Sequence, residues 1–152
     1  MANTQAMCTS FLGELMTATH NFTTGTGDTF KAALYLASAT YNAGTTAYSA
    51  TGEVSGTNYT PGGITVTNST SPIATNATTT AGTAYWTPGA SLTYTNVTLT
   101  TAFDAVLIYN SSKSNKAVSV HTFGSQTVTA GTFTLTMPSN TTTTGLLRLA
   151  TT

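Results

Sequence analysis

Ser119, His121 and Asp104 are the residues of this chain whose types could supply a nucleophile, a base and an orienting acid. A serine hydroxyl attacks a carbonyl only when an imidazole within hydrogen-bond reach takes its proton. The alternation over residues 117–123 predicts Val118 and Val120 inward, with Ser119, His121 and Phe123 on the outward face. Asp104 falls on the adjacent apolar stretch, from which it could approach His121. Residues two apart on a strand, however, have Cβ atoms about 7 Å apart, a poor spacing for a Ser–His hydrogen bond. No Gly-x-Ser-x-Gly elbow accompanies the pair. The expectation is therefore a surface histidine, and no residue is assigned a catalytic role.

The remaining chemistry-bearing side chains are few and scattered. His20 closes a predicted helix, where an imidazolium would suit the C-terminal end of the dipole. Cys8, His20, His121 and the carboxylates show no ligand spacing, so neither metal nor cofactor is expected. Glu14, Asp28, Glu53 and Asp104 are too dispersed for an obvious glycosidase pair. Glu53, in Thr51-Gly52-Glu53-Val54-Ser55-Gly56, is expected to order its loop through backbone N–H groups. Tyr41, Tyr48, Tyr59, Tyr85 and Trp86 could stack on a sugar or fill a protein interface, with Trp86 most simply in the core. Gly62-Gly63 is followed by no lysine and opens no helix, which excludes a phosphate loop.

Composition explains this scarcity. Only 5% of the chain is charged, against about 25% in ordinary soluble domains. Threonine takes the place of charge, at 40 of 152 residues. Four Lys/Arg and four Asp/Glu cancel to a net charge of zero. No basic stripe exists to neutralise phosphates, so no nucleic-acid partner is expected. No basic amphipathic helix or long apolar stretch suggests a membrane. Cys8 is the only cysteine, so no intrachain disulfide can form. The N-terminus lacks the basic and apolar regions of a signal peptide, and synthesis in a cytoplasm is expected.

The elements that must position these residues are mostly strands. Met7, Phe11 and Leu15 recur at i, i+4 and predict a helix over residues 6–20, capped by Thr9 or Ser10 and weakened by Gly13. Residues 29–37 read as a strand, 42–63 as a long ordered loop, and Ile64 and Val66 as the next alternation. The Thr/Asn/Ala-rich 69–80 stretch is a loop or an edge. Ala84 and Trp86 share a face, as do Leu92 and Tyr94. Val97 and Leu99 fall on the opposite parity, which predicts a bulge near Asn96. Residues 103–109 are nearly all apolar and read as a strand covered on both faces. Turns follow at 110–115 and at Ala130-Gly131. Phe133, Leu135 and Met137 then point inward between outward Thr132, Thr134 and Thr136, and Leu147 and Leu149 close the pattern. About eight short strands predict a mainly β chain, a β-sandwich or jelly roll with a short N-terminal helix. The expected organisation is a helical arm over 1–22 and one sandwich domain over 23–152.

Several segments taken in order resemble small virion proteins of tailed bacteriophages. They are Met7-Cys8-Thr9-Ser10-Phe11 with Glu14-Leu15, His20-x-Phe22, and Asp28-Thr29-Phe30-Lys31-Ala32-Ala33-Leu34-Tyr35. Residues 51–56, Tyr59-x-x-Gly62-Gly63, residues 103–110 and 123–128, and Phe133-x-Leu135-x-Met137-Pro138 complete the set. The resemblance implies a non-enzymatic structural protein of the virion, a capsid decoration or cement protein. Its implied partners are the major capsid protein and further copies of itself, as a homodimer or homotrimer on the capsid surface. The apolar stripe of Met7, Phe11 and Leu15 is the expected contact with a neighbour, and Tyr41, Tyr48 and Tyr59 the second. The alternative is a head-fibre or tail module that binds a receptor or glycan.

Overall fold

The computed structural model describes residues 2–75 and 82–151. In chain order the elements are β1 (Ala6–Met7), α1 (Thr9–Met16), β2 (Phe30–Leu36), β3 (Ile64–Thr65), β4 (Ile73–Thr75), β5 (Thr83–Trp86), β6 (Leu92–Asn110), β7 (Lys116–Leu135) and β8 (Leu147–Ala150). The protein is mainly β, with 44% strand and 6% helix, all strand pairs antiparallel, in a β-sandwich-like arrangement. One sheet has the order β1-β7-β6-β2-β3, the other β4-β5-β8. The low-complexity 69–80 stretch contributes β4 as an edge, and its remainder from 76 lies outside the described residues.

The β6–β7 hairpin dominates, with arms of 19 and 20 residues. Sequence reading makes 103–109 a strand of its own and turns the chain at Ala130-Gly131. The chain instead runs through both boundaries as irregular strand. The bulge expected near Asn96 is present: Asn96 has φ +53° and the register slips between Tyr94 and Val97. Ala130, at φ +45°, is a second bulge and not a turn, since Val97 pairs with Gly131 and Leu99 with Val128. These kinks fold the distal half of the hairpin over the proximal half. Leu92 and Leu135 thereby line one cleft with Val106, Ile108 and His121. The Phe133 ring also stands edge-on to Phe103, centroids 5.0 Å apart.

β2 and the proximal part of β6 are buried along almost their whole length, as runs that are apolar except for Lys31, Asp104 and Asn110 require. The alternation of Phe133 and Leu135 with exposed Thr132 and Thr134 marks a strand covered on one face only.

Helix α1 is shorter than its pattern suggests. Its N-cap is Cys8, which makes no side-chain capping bond, rather than Thr9 or Ser10. It ends in a Schellman arrangement: Thr19 N–H reaches Glu14 O at 3.0 Å and Ala18 N–H reaches Leu15 O at 3.2 Å, with Ala18 at φ +54°. Eight residues make a marginal helix alone, so packing holds it. The segment expected as an arm is laid into the domain. β1 pairs with β7, Cys8, Phe11 and Phe22 join the core, and the Asn3 amide donates to Leu36 O and to Asp104 Oδ1.

Candidate functional site

Ser119 and His121 are bonded after all, Oγ to Nε2 at 2.9 Å. The expected outward position of His121 is corrected as well. Its ring faces the cleft of about 110 Å³ under Leu92, Leu135 and Met137, because the folded-over hairpin covers that side of β7. Burial pushes the imidazole down to about 4, so it is neutral near pH 7. No acid completes a triad, because the Asp104 carboxylate is engaged by Asn3 at 2.6 Å. The Ser119 side chain is inaccessible as well (0% exposed), so no substrate carbonyl can reach it. The pair satisfies two buried polar groups within the core.

Glu53 is the hub of a tyrosine cluster. Its Oε1 accepts from Tyr59 OH and from Gly62 N–H, both at 2.8 Å, and its Oε2 from Tyr48 OH at 2.7 Å. Tyr59 OH in turn accepts from Leu34 N–H on β2, and Tyr109 OH donates to Gly62 O. Desolvation, reinforced by the nearby carboxylate, pushes the Tyr48 and Tyr59 phenols far above their ordinary range. These are donors locked in their protonated form. One carboxylate thus ties the 37–63 loop to the edge of β2. Sequence reading anticipated the loop-ordering role and one backbone donor; the two phenols were not apparent.

Tyr41 and Tyr59 are buried, and the Tyr41 hydroxyl donates to Thr51 O at 2.9 Å. Tyr48 is half-buried with its ring stacked on Tyr109 at 4.8 Å. Met7, Phe11 and Leu15 line an apolar groove of about 90 Å³ between α1 and the small sheet, with Phe11 itself buried. Among the described residues the exposed large apolar side chains are Leu12, Met16, Ile73 and Leu149, with Met16 at 86% and Leu149 lining this groove. Trp86 is buried, its indole N–H donating to Thr70 O and Asn68 Oδ1, so it offers no stacking platform.

A second polar network was not apparent in the sequence. Glu14 Oε2 meets His20 Nε2 at 2.7 Å, while Lys116 Nζ pairs with Glu14 Oε1. His20 Nδ1 lies 3.0 Å from Asn110 Nδ2, which also donates to Asp28 Oδ2 at 2.8 Å. Asn110 Oδ1 accepts from Ser112 N–H, which fixes the amide orientation. His20 Nδ1 is therefore an acceptor and its proton sits on Nε2, facing Glu14. Burial pushes the Glu14 carboxyl up, but its hydrogen bonds to Lys116 and His20 and the Lys116 charge outweigh it and hold it below its ordinary value. Asp28 is held down in the same way against burial by Asn110, the Asn21 N–H, Lys113 and His20. The capping role expected of His20 gives way to this link between α1, the 20–28 segment and the β6–β7 turn.

Half of the eight charged residues are spent in that one network. Of all eight, Lys113 and Arg148 are exposed and the other six half-buried. Among the described residues no three His, Cys, Asp or Glu converge on a metal position, and no helix is long and apolar enough to cross a membrane. No family model matches this sequence, and neither a curated protein nor a solved structure matches it.

Proposed function

We propose that this protein is a non-enzymatic subunit of a phage virion, a capsid decoration or cement protein that binds and stabilises the expanded head. The observation that carries this reading is the charge-poor surface, with two charged residues exposed and six half-buried among abundant exposed threonines. Desolvating an ion at an interface is expensive, and charged residues are depleted at interface centres. A hydroxyl surface is wetted when free and costs less to bury than an ion, provided its hydroxyls find hydrogen-bond partners. The internal use of Ser119, His121, Glu53 and Asp104 fits a protein that does no chemistry. Stabilisation would follow from linkage: a subunit that binds only the expanded shell shifts the equilibrium toward it by mass action. The contact centres on α1, where Leu12 and Met16 extend the stripe of Met7, Phe11 and Leu15 to solvent. A glycan-binding fibre module draws less support, since Trp86 and Tyr59 are buried.

Cosedimentation with expanded, decoration-stripped heads tests the proposal. Saturation at a fixed ratio per capsomer, absent with unexpanded procapsids and weakened by Met16→Lys, is the expected result. Absence of binding to heads overturns it.

A further inference from the structure

The edges of this fold are protected unequally. β1 and β3 have two residues each, β4 three and β8 four. Short edge strands are one of the ways proteins avoid pairing with other chains. The remaining edge of β2 is covered by the 50–63 loop, where Val54 N–H bonds Leu34 O and Leu36 N–H bonds Gly52 O. β7 has no such protection. β1 pairs with it only at Ser119 and Val120. From His121 to Leu135 the side of β7 facing away from β6 meets no strand among the described residues. No charged residue occurs between Lys116 and Arg148, and no proline lies within β7. The bulge at Ala130 bends this edge without adding either.

We infer that β7 is a docking edge and that its occupant is β7 of a second copy, antiparallel across a two-fold axis. A two-fold contact places the same segment against itself, so any charge near the axis would face its own copy. Like charges directly opposite destabilise a cross-strand pair. A segment without charge is the kind that tolerates this symmetry, and the exposed Thr129, Thr132 and Thr134 are β-branched, polar residues suited to cross-strand pairing. The β7 edge pairs with itself across the axis, so this contact closes at a dimer; on the other side of the hairpin, β6 over 92–102 is met by the Thr57–Thr98 bridge and by the bond from Ala37 N–H to Ala102 O. The inference names the surface for the self-association included in the functional reading, but it rests on the sheet alone.

The test is the mass of the purified chain by light scattering across concentration. The expected mass is twice 15.6 kDa, falling to that of one chain in the double variant Thr129→Lys/Thr134→Lys. Both positions are exposed, one on each side of the bulge. Thr26→Lys/Thr67→Lys, with the same added charge at exposed positions that bond no residue of β7, should remain dimeric. Mixing the lysine variant with Thr129→Glu/Thr134→Glu should restore a dimer of the two. A wild-type chain that is monomeric throughout, or a dimer indifferent to the β7 charges, overturns the inference. A monomer that still saturates expanded heads would remove the docking edge and leave the capsid reading standing.

Discussion

The imidazole of His20 and the amide of Asn110, 90 positions apart in sequence, meet at 3.0 Å inside a chain of groups with a carboxylate at each end. Each member supplies what its neighbour lacks, so removing one leaves a buried group unpaired. His20→Leu should destabilise the fold by about 2–3 kcal/mol, the cost of abandoning buried polar partners. Asn110→Leu should act similarly. The pair should show coupling above about 0.5 kcal/mol in a double-mutant cycle read from urea unfolding. Strict additivity would mean that the two residues act independently.

Acid should loosen this network through its carboxylates. Glu14 and Asp28 are held below their ordinary values of 4.5 and 3.8. Their contribution is fully present above those values and disappears as pH falls through the lower folded ones. Glu14→Gln should flatten the decline of urea midpoint with acidification below about pH 4.5 and lower stability near neutrality. An unchanged acid limb would show that Glu14 gains nothing from Lys116 and His20.

His121 produces a separate and earlier effect. Its folded value of about 4 lies below the ordinary 6.5, so the unfolded chain takes up the proton first. Stability is full above about pH 6.5 and declines until about pH 4, by at most about 3 kcal/mol. His121→Phe should abolish this limb while leaving the acid limb of Glu14 and Asp28 intact. Proton titration of the wild-type ring by NMR checks the cause directly, and an inflection near 6.5 would refute it.

Backbone conformation gives predictions of both signs. A Cβ at Gly13 meets nothing, so Gly13→Ala should stabilise α1 by about 1 kcal/mol. Ala18 and Ala130 hold left-handed conformations suited to glycine, and Ala18→Gly and Ala130→Gly should each gain up to about 1 kcal/mol. Gly63, at φ +72°, is the reverse case. A Cβ there would run into the Ala32 carbonyl oxygen, and Gly63→Ala should cost about 3 kcal/mol or more. Thermal unfolding of the four variants measures all of these.

Local information in the sequence was sufficient where structure is local. The parity change at Val97 located the Asn96 bulge, and the nearly all-apolar run over 103–109 marked a strand covered on both faces. Outward Thr132 and Thr134 followed from simple alternation. The same logic failed at Ala130-Gly131, where turn-forming residues serve a bulge because a partner strand continues alongside. Ser119–His121 was dismissed on ideal strand spacing, yet rotamers close that gap when both side chains share one covered face. The Glu14–His20–Asn110–Asp28 network was invisible for another reason. Asn110 carries no periodic signal, and its partners lie 82 and 90 residues away. Polar residues of this kind acquire meaning only once the hairpin turn and α1 are side by side.

The position of Cys8 gives the molecule a built-in clock. Its thiol is fully buried at the start of α1, and burial together with the Glu14 charge pushes it up to about 11. Near neutral pH only about one thiol in ten thousand is ionised, and that one is shielded from reagent. Alkylation must therefore wait for α1 to part from β7, where Cys8 N–H bonds Val118 O at 3.0 Å. The rate at which this single sulfur is modified counts those partings, without any introduced label.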